Sequence, residues 1–171
     1  RRFTIWRHIW EDPYVLGFQQ TRAIMCIASG GLLGIGAGRG LLKNVFAADS
    51  DIVFASISEE WGLIMAVMLV LSIVALALFS LRSASMARSS FYTIGAVTAS
   101  AVMLIQVILN CLGTVDVVPL TGVTFPFLSN GGSSMIGAWG LLAFIKAADT
   151  RQNASFAVRL AKKVKGGADD E

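Results

Sequence analysis

Two long apolar runs, Trp61 to Leu81 and Phe91 to Gly113, limit what this chain can become more than any other feature. Each reaches the length of about 20 residues at which an α-helix crosses a bilayer. Inside hydrocarbon every backbone N–H and C=O must be bonded internally, so such runs have to be helices. A third, shorter run lies at about 132–147. Of the 171 residues 55% are hydrophobic and 15% charged, with a mean hydropathy of +0.68. A soluble domain is roughly half apolar and a quarter charged, so composition agrees with the runs. The expected fold is an all-α polytopic membrane protein with three spanning helices at about 61–81, 91–113 and 132–147.

Charge sets the orientation. The loop RSASMARS after the first run carries Arg82 and Arg88 and no acid, whereas the loop 114–131 carries only Asp116. The positive-inside rule places Arg82 and Arg88 in the cytoplasm. Residues 1–60 and the loop 114–131 then face outward, and residues 148–171 form a cytoplasmic tail whose Lys162, Lys163 and Lys165 suit anionic headgroups or simply anchor the topology. Arg1, Arg2, Arg7, Arg22, Arg39 and Lys43 lie on the outward side against the rule. Glu11, Asp12, Asp49, Asp51, Glu59 and Glu60 balance them, and long segments weigh little in it. The chain opens RRFTIWRHIWEDPY, without the pattern of a signal peptide, and reads as part of a longer protein. Cys26 and Cys111 are too far apart for zinc spacing and read as packing residues, while His8 between Trp6 and Trp10 suits an interfacial girdle. Nothing points to nucleic acid.

Residues 15–44 are apolar but broken by Gly30, Gly31, Gly34, Gly36, Gly38 and Gly40. Irregular backbone at membrane depth is tolerated only where protein or a water-filled cavity satisfies it. The segment is therefore expected to be outward and partly re-entrant, lining a cleft. Arg39 stands where a dinucleotide fingerprint needs glycine, and no GKS or GKT follows.

Four carboxylates come next in DSDIVFASISEEWG, from Asp49 to Gly62. Acids near a helix start gain roughly 0.3 to 1 kcal/mol each from free amides and the helix dipole. Capping alone can account for one of them. On a helix, Glu59 turns about 80° and Glu60 about 180° from the face of Asp51, so the four cannot form one metal cage. Ionisable groups at a membrane boundary are candidate functional groups, Asp51 first among them. Gln106 and Asn110, spaced i, i+4, share a face, and in lipid such amides commonly bond neighbouring helices. The loop VPLTGVTFPFLSNGGSS offers turn formers and the hydroxyls of Thr121, Ser129, Ser133 and Ser134. It reads either as a tight turn with Ser133 or Ser134 capping the last helix, or as a lid over a cavity, since a plain turn needs no Phe125, Phe127 and Leu128.

In order and spacing these segments resemble the shape, elongation, division and sporulation (SEDS) family, the FtsW, RodA and SpoVE proteins of bacterial cell-wall synthesis. The family's SGG-x-x-G-x-G appears as SGGLLGIG from Ser29, and its aspartate-led segment as DIVFASISEEWG from Asp51. Its Q-x-x-x-N is Gln106 and Asn110, and its P-x-T-G-x-x-x-P-x-x-S-x-GGSS loop is complete from Pro119 to Ser134. Three departures stand out. FAADS replaces a Pro-Glu-x-His-Thr lead-in, Asn130 replaces a tyrosine, and Thr121 stands where division-type members often have lysine.

The resemblance implies peptidoglycan glycosyltransfer, the polymerisation of lipid II outside the cytoplasmic membrane with release of undecaprenyl pyrophosphate. By the same likeness Asp51 is the catalytic base. Arg22, Arg39, Lys43, Glu59, Glu60, Gln106, Asn110, Thr121, Ser129, Ser133 and Ser134 are candidate substrate-binding or supporting residues. No cofactor is evident, though a divalent cation is a possible aid to the pyrophosphate. The implied partner is a class B penicillin-binding transpeptidase. A lipid-linked precursor flippase and a non-catalytic scaffold are the alternatives.

Overall fold

The computed structural model describes residues 6, 17–42, 45, 50–85 and 90–148. Among these every regular element is helical: α1 (Phe18–Gly30), α2 (Val53–Glu60), α3 (Gly62–Ser85), α4 (Ser90–Thr114) and α5 (Gly132–Ala148). The all-α expectation holds for them. Lys43, Asp49, Arg88 and the tail after Ala148 lie outside the described residues.

Helices α3 and α4 are long and apolar enough to span, Gly62–Arg82 with a mean hydropathy of 2.9 and Ser90–Thr114 with 1.9. Residues 132–148 of α5 rise about 25 Å at 1.5 Å each, less than the about 30 Å of a hydrocarbon core. The two long spans therefore match the sequence expectation, and the third run forms a shorter apolar helix. Serine joins the long pair, since the Ser80 hydroxyl donates to the Ala96 carbonyl at 3.3 Å across the α3–α4 contact. Such bonds between helices are ordinary glue in lipid. Val53, Ile73, Met103, Val107, Phe125 and Ile145 form one buried cluster that joins α2, α3, α4, α5 and the loop after α4.

The glycine-rich segment divides in two. Its first part is the helix α1, and residues 31–42 form a loop wrapped around the junction of α2 and α3. This loop meets the orphan groups that any helix end leaves. Ile35 and Gly36 donate their N–H groups to the carbonyls of Glu59 and Glu60 at the end of α2, at 2.9 and 3.0 Å. In return Gly31 accepts from the Leu63 N–H at 3.0 Å, at the start of α3. The junction turns at Gly62, whose φ of +87° favours glycine and whose missing Cβ would strike the Leu32 carbonyl. A second close approach lies at Gly30, where a Cβ would meet the Ser58 carbonyl and the backbone of Glu59.

Candidate functional site

Asp51 lies two residues before α2. Ile52 occupies the N-cap position and no side chain caps the helix, so Asp51 is not bound up in capping. It is half-buried. Among the described residues its carboxylate has no hydrogen-bond or ion-pair partner. The other described acids differ. Asp116 accepts from Gln20 Nε2 at 3.0 Å. Glu59 accepts the N–H groups of Leu41 and Leu42 at 2.9 and 3.0 Å, and Glu60 accepts the N–H of Gly38 at 3.0 Å.

Glu59 has no exposed surface, and its charge is carried into the protein by those two amide donors. Hydrogen bonds from N–H groups are what allow a buried carboxylate to remain there. The Cys26 thiol also faces it. Burial first, then hydrogen bonding to the Glu59 carboxylate, push that thiol up from 9.0 to about 11, and Arg22 opposes the shift. Glu59 and Glu60 therefore fasten the glycine-rich loop onto α2. A Cβ on Gly40 would come within 2.8 and 2.9 Å of the two carboxylates, so the loop lies directly against them.

While its carboxylate has no partner among the described residues, the backbone of Asp51 is firmly held. Asn110 Nδ2 donates to the Asp51 carbonyl and to the Val123 carbonyl, each at 2.8 Å. The Ser129 hydroxyl donates to the Ser50 carbonyl at 2.6 Å and accepts the Phe125 N–H at 2.6 Å. The structure thus gathers three of the residues named from sequence, Asp51, Asn110 and Ser129, and the loop after α4 is the part that reaches over Asp51. This loop is shaped by left-handed backbone at Asp116 and Phe127 and by an edge contact between the rings of Phe127 and Trp139 at 5.4 Å.

Among the described residues, the other named ones make no side-chain hydrogen bond to this cluster. Arg22 is exposed with its guanidinium 5.4 Å from the Phe18 ring centroid, on a groove of about 360 Å³ that Met25, Cys26 and Leu41 also line. Arg39 is exposed in the glycine-rich loop. Gln106 is half-buried and its side chain makes no hydrogen bond among the described residues. Thr121 and Ser133 are exposed, and the Ser134 hydroxyl turns back to the Gly131 carbonyl at 2.9 Å instead of capping α5. Among the described residues no three His, Cys, Asp or Glu side chains converge as metal ligands.

Sequence reasoning passed over Gln20, which is buried and bonds both the Gly113 carbonyl and Asp116, tying α1 to the end of α4. The signal was present. A glutamine pair inside an apolar stretch needs partners, as any buried amide does.

Comparison with known proteins identifies the family. A family model described as a cell cycle protein, FtsW/RodA/SpoVE, matches residues 1–154. The chain is 33% identical over 144 residues to the peptidoglycan glycosyltransferase RodA of Mycobacterium tuberculosis (strain ATCC 25618 / H37Rv), covering 84% of this chain and 31% of that protein. It is 34% identical over 137 residues to the stage V sporulation protein E of Bacillus subtilis (strain 168), covering 79% and 37%. To the probable peptidoglycan glycosyltransferase FtsW of Lactococcus lactis subsp. lactis (strain IL1403) it is 33% identical over 160 residues, covering 91% and 38%. The chain spans only about a third of the length of these relatives. With the match running over nearly the whole chain, the protein belongs to the FtsW/RodA/SpoVE family, the SEDS proteins.

Proposed function

We propose that this chain carries the catalytic base of a peptidoglycan glycosyltransferase that polymerises lipid II at the outer face of the bacterial cytoplasmic membrane. The observation that carries the proposal is the carboxylate of Asp51, which has no partner among the described residues. Among the described acids it alone keeps its oxygens available, on a backbone that is hydrogen-bonded in place beside two long apolar helices. The names of the relatives, peptidoglycan glycosyltransferase among them, support the same reaction class.

In the reaction a sugar hydroxyl of one lipid-linked saccharide attacks the anomeric carbon of another, with inversion. The new C–O bond forms as the bond from that carbon to the pyrophosphate oxygen breaks, and the pyrophosphate leaves on its undecaprenyl chain. Asp51 takes the proton of the attacking hydroxyl. One positioned base contributes typically 10² to 10⁴ in rate. The leaving pyrophosphate calls for positive charge. Arg22 and Arg39 supply guanidinium groups that are exposed and, among the described residues, free of carboxylate partners. Lys43 is a further candidate from sequence, and a divalent cation is the other source of charge; polymer yield with and without a chelator separates the two. The partner we propose is a class B penicillin-binding transpeptidase, which crosslinks the strands.

The test is polymer formation from purified lipid II by the full-length protein, with crosslinking by the partner blocked, comparing wild type with Asp51→Asn at matched expression and folding. Polymer from wild type and none from the variant is the expected result. Equal polymer from both would reduce Asp51 to a structural acid, and absence of polymer from both would favour a flippase or a scaffold.

A further inference from the structure

The main chain under Asp51 is held from two separate parts of the fold. From α4, Asn110 uses both N–H bonds of its side-chain amide, one on the Asp51 carbonyl and one on the Val123 carbonyl. From the loop after α4, the Ser129 hydroxyl donates to the Ser50 carbonyl while accepting the Phe125 N–H. Each of these side chains is 2% exposed, so water does not compete for the bonds.

Their chemistry is specific. Turning the Asn110 amide over would set Oδ1 against two carbonyl oxygens, and this Oδ1 is buried without a partner, so the two donor bonds alone orient the group. Ser129 must donate and accept at once, which a hydroxyl does and an apolar group does not. Both grip carbonyls and leave the Asp51 carboxylate untouched. The same bonds take in Val123 and Phe125, so the loop after α4 and the base segment are one mechanical unit.

We propose that Asn110 and Ser129 are positioning residues for the transfer reaction, fixing the Ser50–Asp51 main chain so that the Asp51 carboxylate meets the acceptor hydroxyl. This rests on the assignment of Asp51 as base. It differs from direct substrate binding by these two residues, whose donors point to protein carbonyls and not to open space.

The test measures steady-state polymerisation of lipid II by the full-length protein as Asn110→Leu, Ser129→Ala and Ser129→Thr, with Asp51→Asn alongside and thermal midpoints for each. Asn110→Leu keeps the volume and removes the donors. A misplacement of about 1 Å can cost roughly 10² in rate, so Asn110→Leu and Ser129→Ala are expected to lose between about tenfold and a hundredfold in kcat with KM for lipid II unchanged. Ser129→Thr, which keeps the hydroxyl, restores kcat. Wild-type kcat with only a lowered thermal midpoint would overturn the inference in favour of a purely structural role. A raised KM at intact kcat would overturn it in favour of substrate contact. Should Asn110→Leu fail to fold, the Ser129 pair carries the same decision. Full activity of Asp51→Asn would instead remove the base assignment, whatever the other variants do.

Discussion

Glu59 is a carboxylate with no exposed surface, and the two amides it accepts from replace the water it has lost. Glu59→Gln turns one acceptor oxygen into a donor that faces an N–H. Leaving a buried donor unsatisfied costs about 1 to 3 kcal/mol. We expect a loss of that size in unfolding free energy, read from denaturant titration of the full-length protein in detergent, and protease cleavage within residues 31–42. Beside it, Cys26 gives a pH signature. Burial and the Glu59 hydrogen bond push its thiol up to about 11 in the folded state. The thiolate is the reactive form, so iodoacetamide should label Cys26 far more slowly at pH 8 than a free thiol does, and labelling in the folded protein should rise only toward pH 11. The sign for stability follows from the raised value. The contribution is fully present below pH about 9 and is lost as pH climbs toward about 11.

At the scale of elements, the loop 31–42 and the α2–α3 junction complete each other. Each supplies the backbone partners that the other lacks, and Gly62 makes the turn between them. Gly62→Ala meets both an unfavourable φ and the Leu32 carbonyl. A residue forced into such backbone costs on the order of 1 to 3 kcal/mol before any clash is counted. The expected outcome is a lower thermal midpoint by scanning fluorimetry, with Gly132→Ala, where a Cβ would meet nothing within 4 Å, as the neutral comparison. These elements also mark what could be read from sequence. The long spans were legible to within a few residues, because hydropathy over about 20 residues is a signal that local detail cannot blur. Asp51, Asn110 and Ser129 were legible as members of family motifs. What the motifs could not convey is that Asn110 and Ser129 bond the carbonyls of Asp51 and Ser50, since a contact across 59 or 79 residues leaves no spacing to read. The partition of the glycine-rich stretch into α1 and a loop was hidden for a related reason. Its glycines are needed where α2 and α3 approach, and that approach is tertiary.

Over the whole molecule, the outer faces of α3 and α4 are strongly apolar. Ile64, Met68, Leu71 and Phe79 on α3 are about half exposed, as are Ile105 and Ile108 on α4. Contiguous apolar surface on this scale is not left to water by a stable soluble protein. The protein should stay with the pellet after alkaline carbonate washing of membranes and enter solution only with detergent. Recovery in the carbonate supernatant would contradict a bilayer-embedded fold.

The bonds that Asn110 and Ser129 make to the Ser50–Asp51 main chain also bear on biogenesis. The Ser50–Asp51 stretch leaves the ribosome 59 residues ahead of Asn110 and 79 residues ahead of Ser129. At its birth this stretch has neither of its anchors, and it waits through the synthesis of α3 and most of α4 before either arrives. A nascent chain truncated before Asn110 carries Asp51 but not the bonds that hold it, so the proposed site is among the last parts of this region to be assembled.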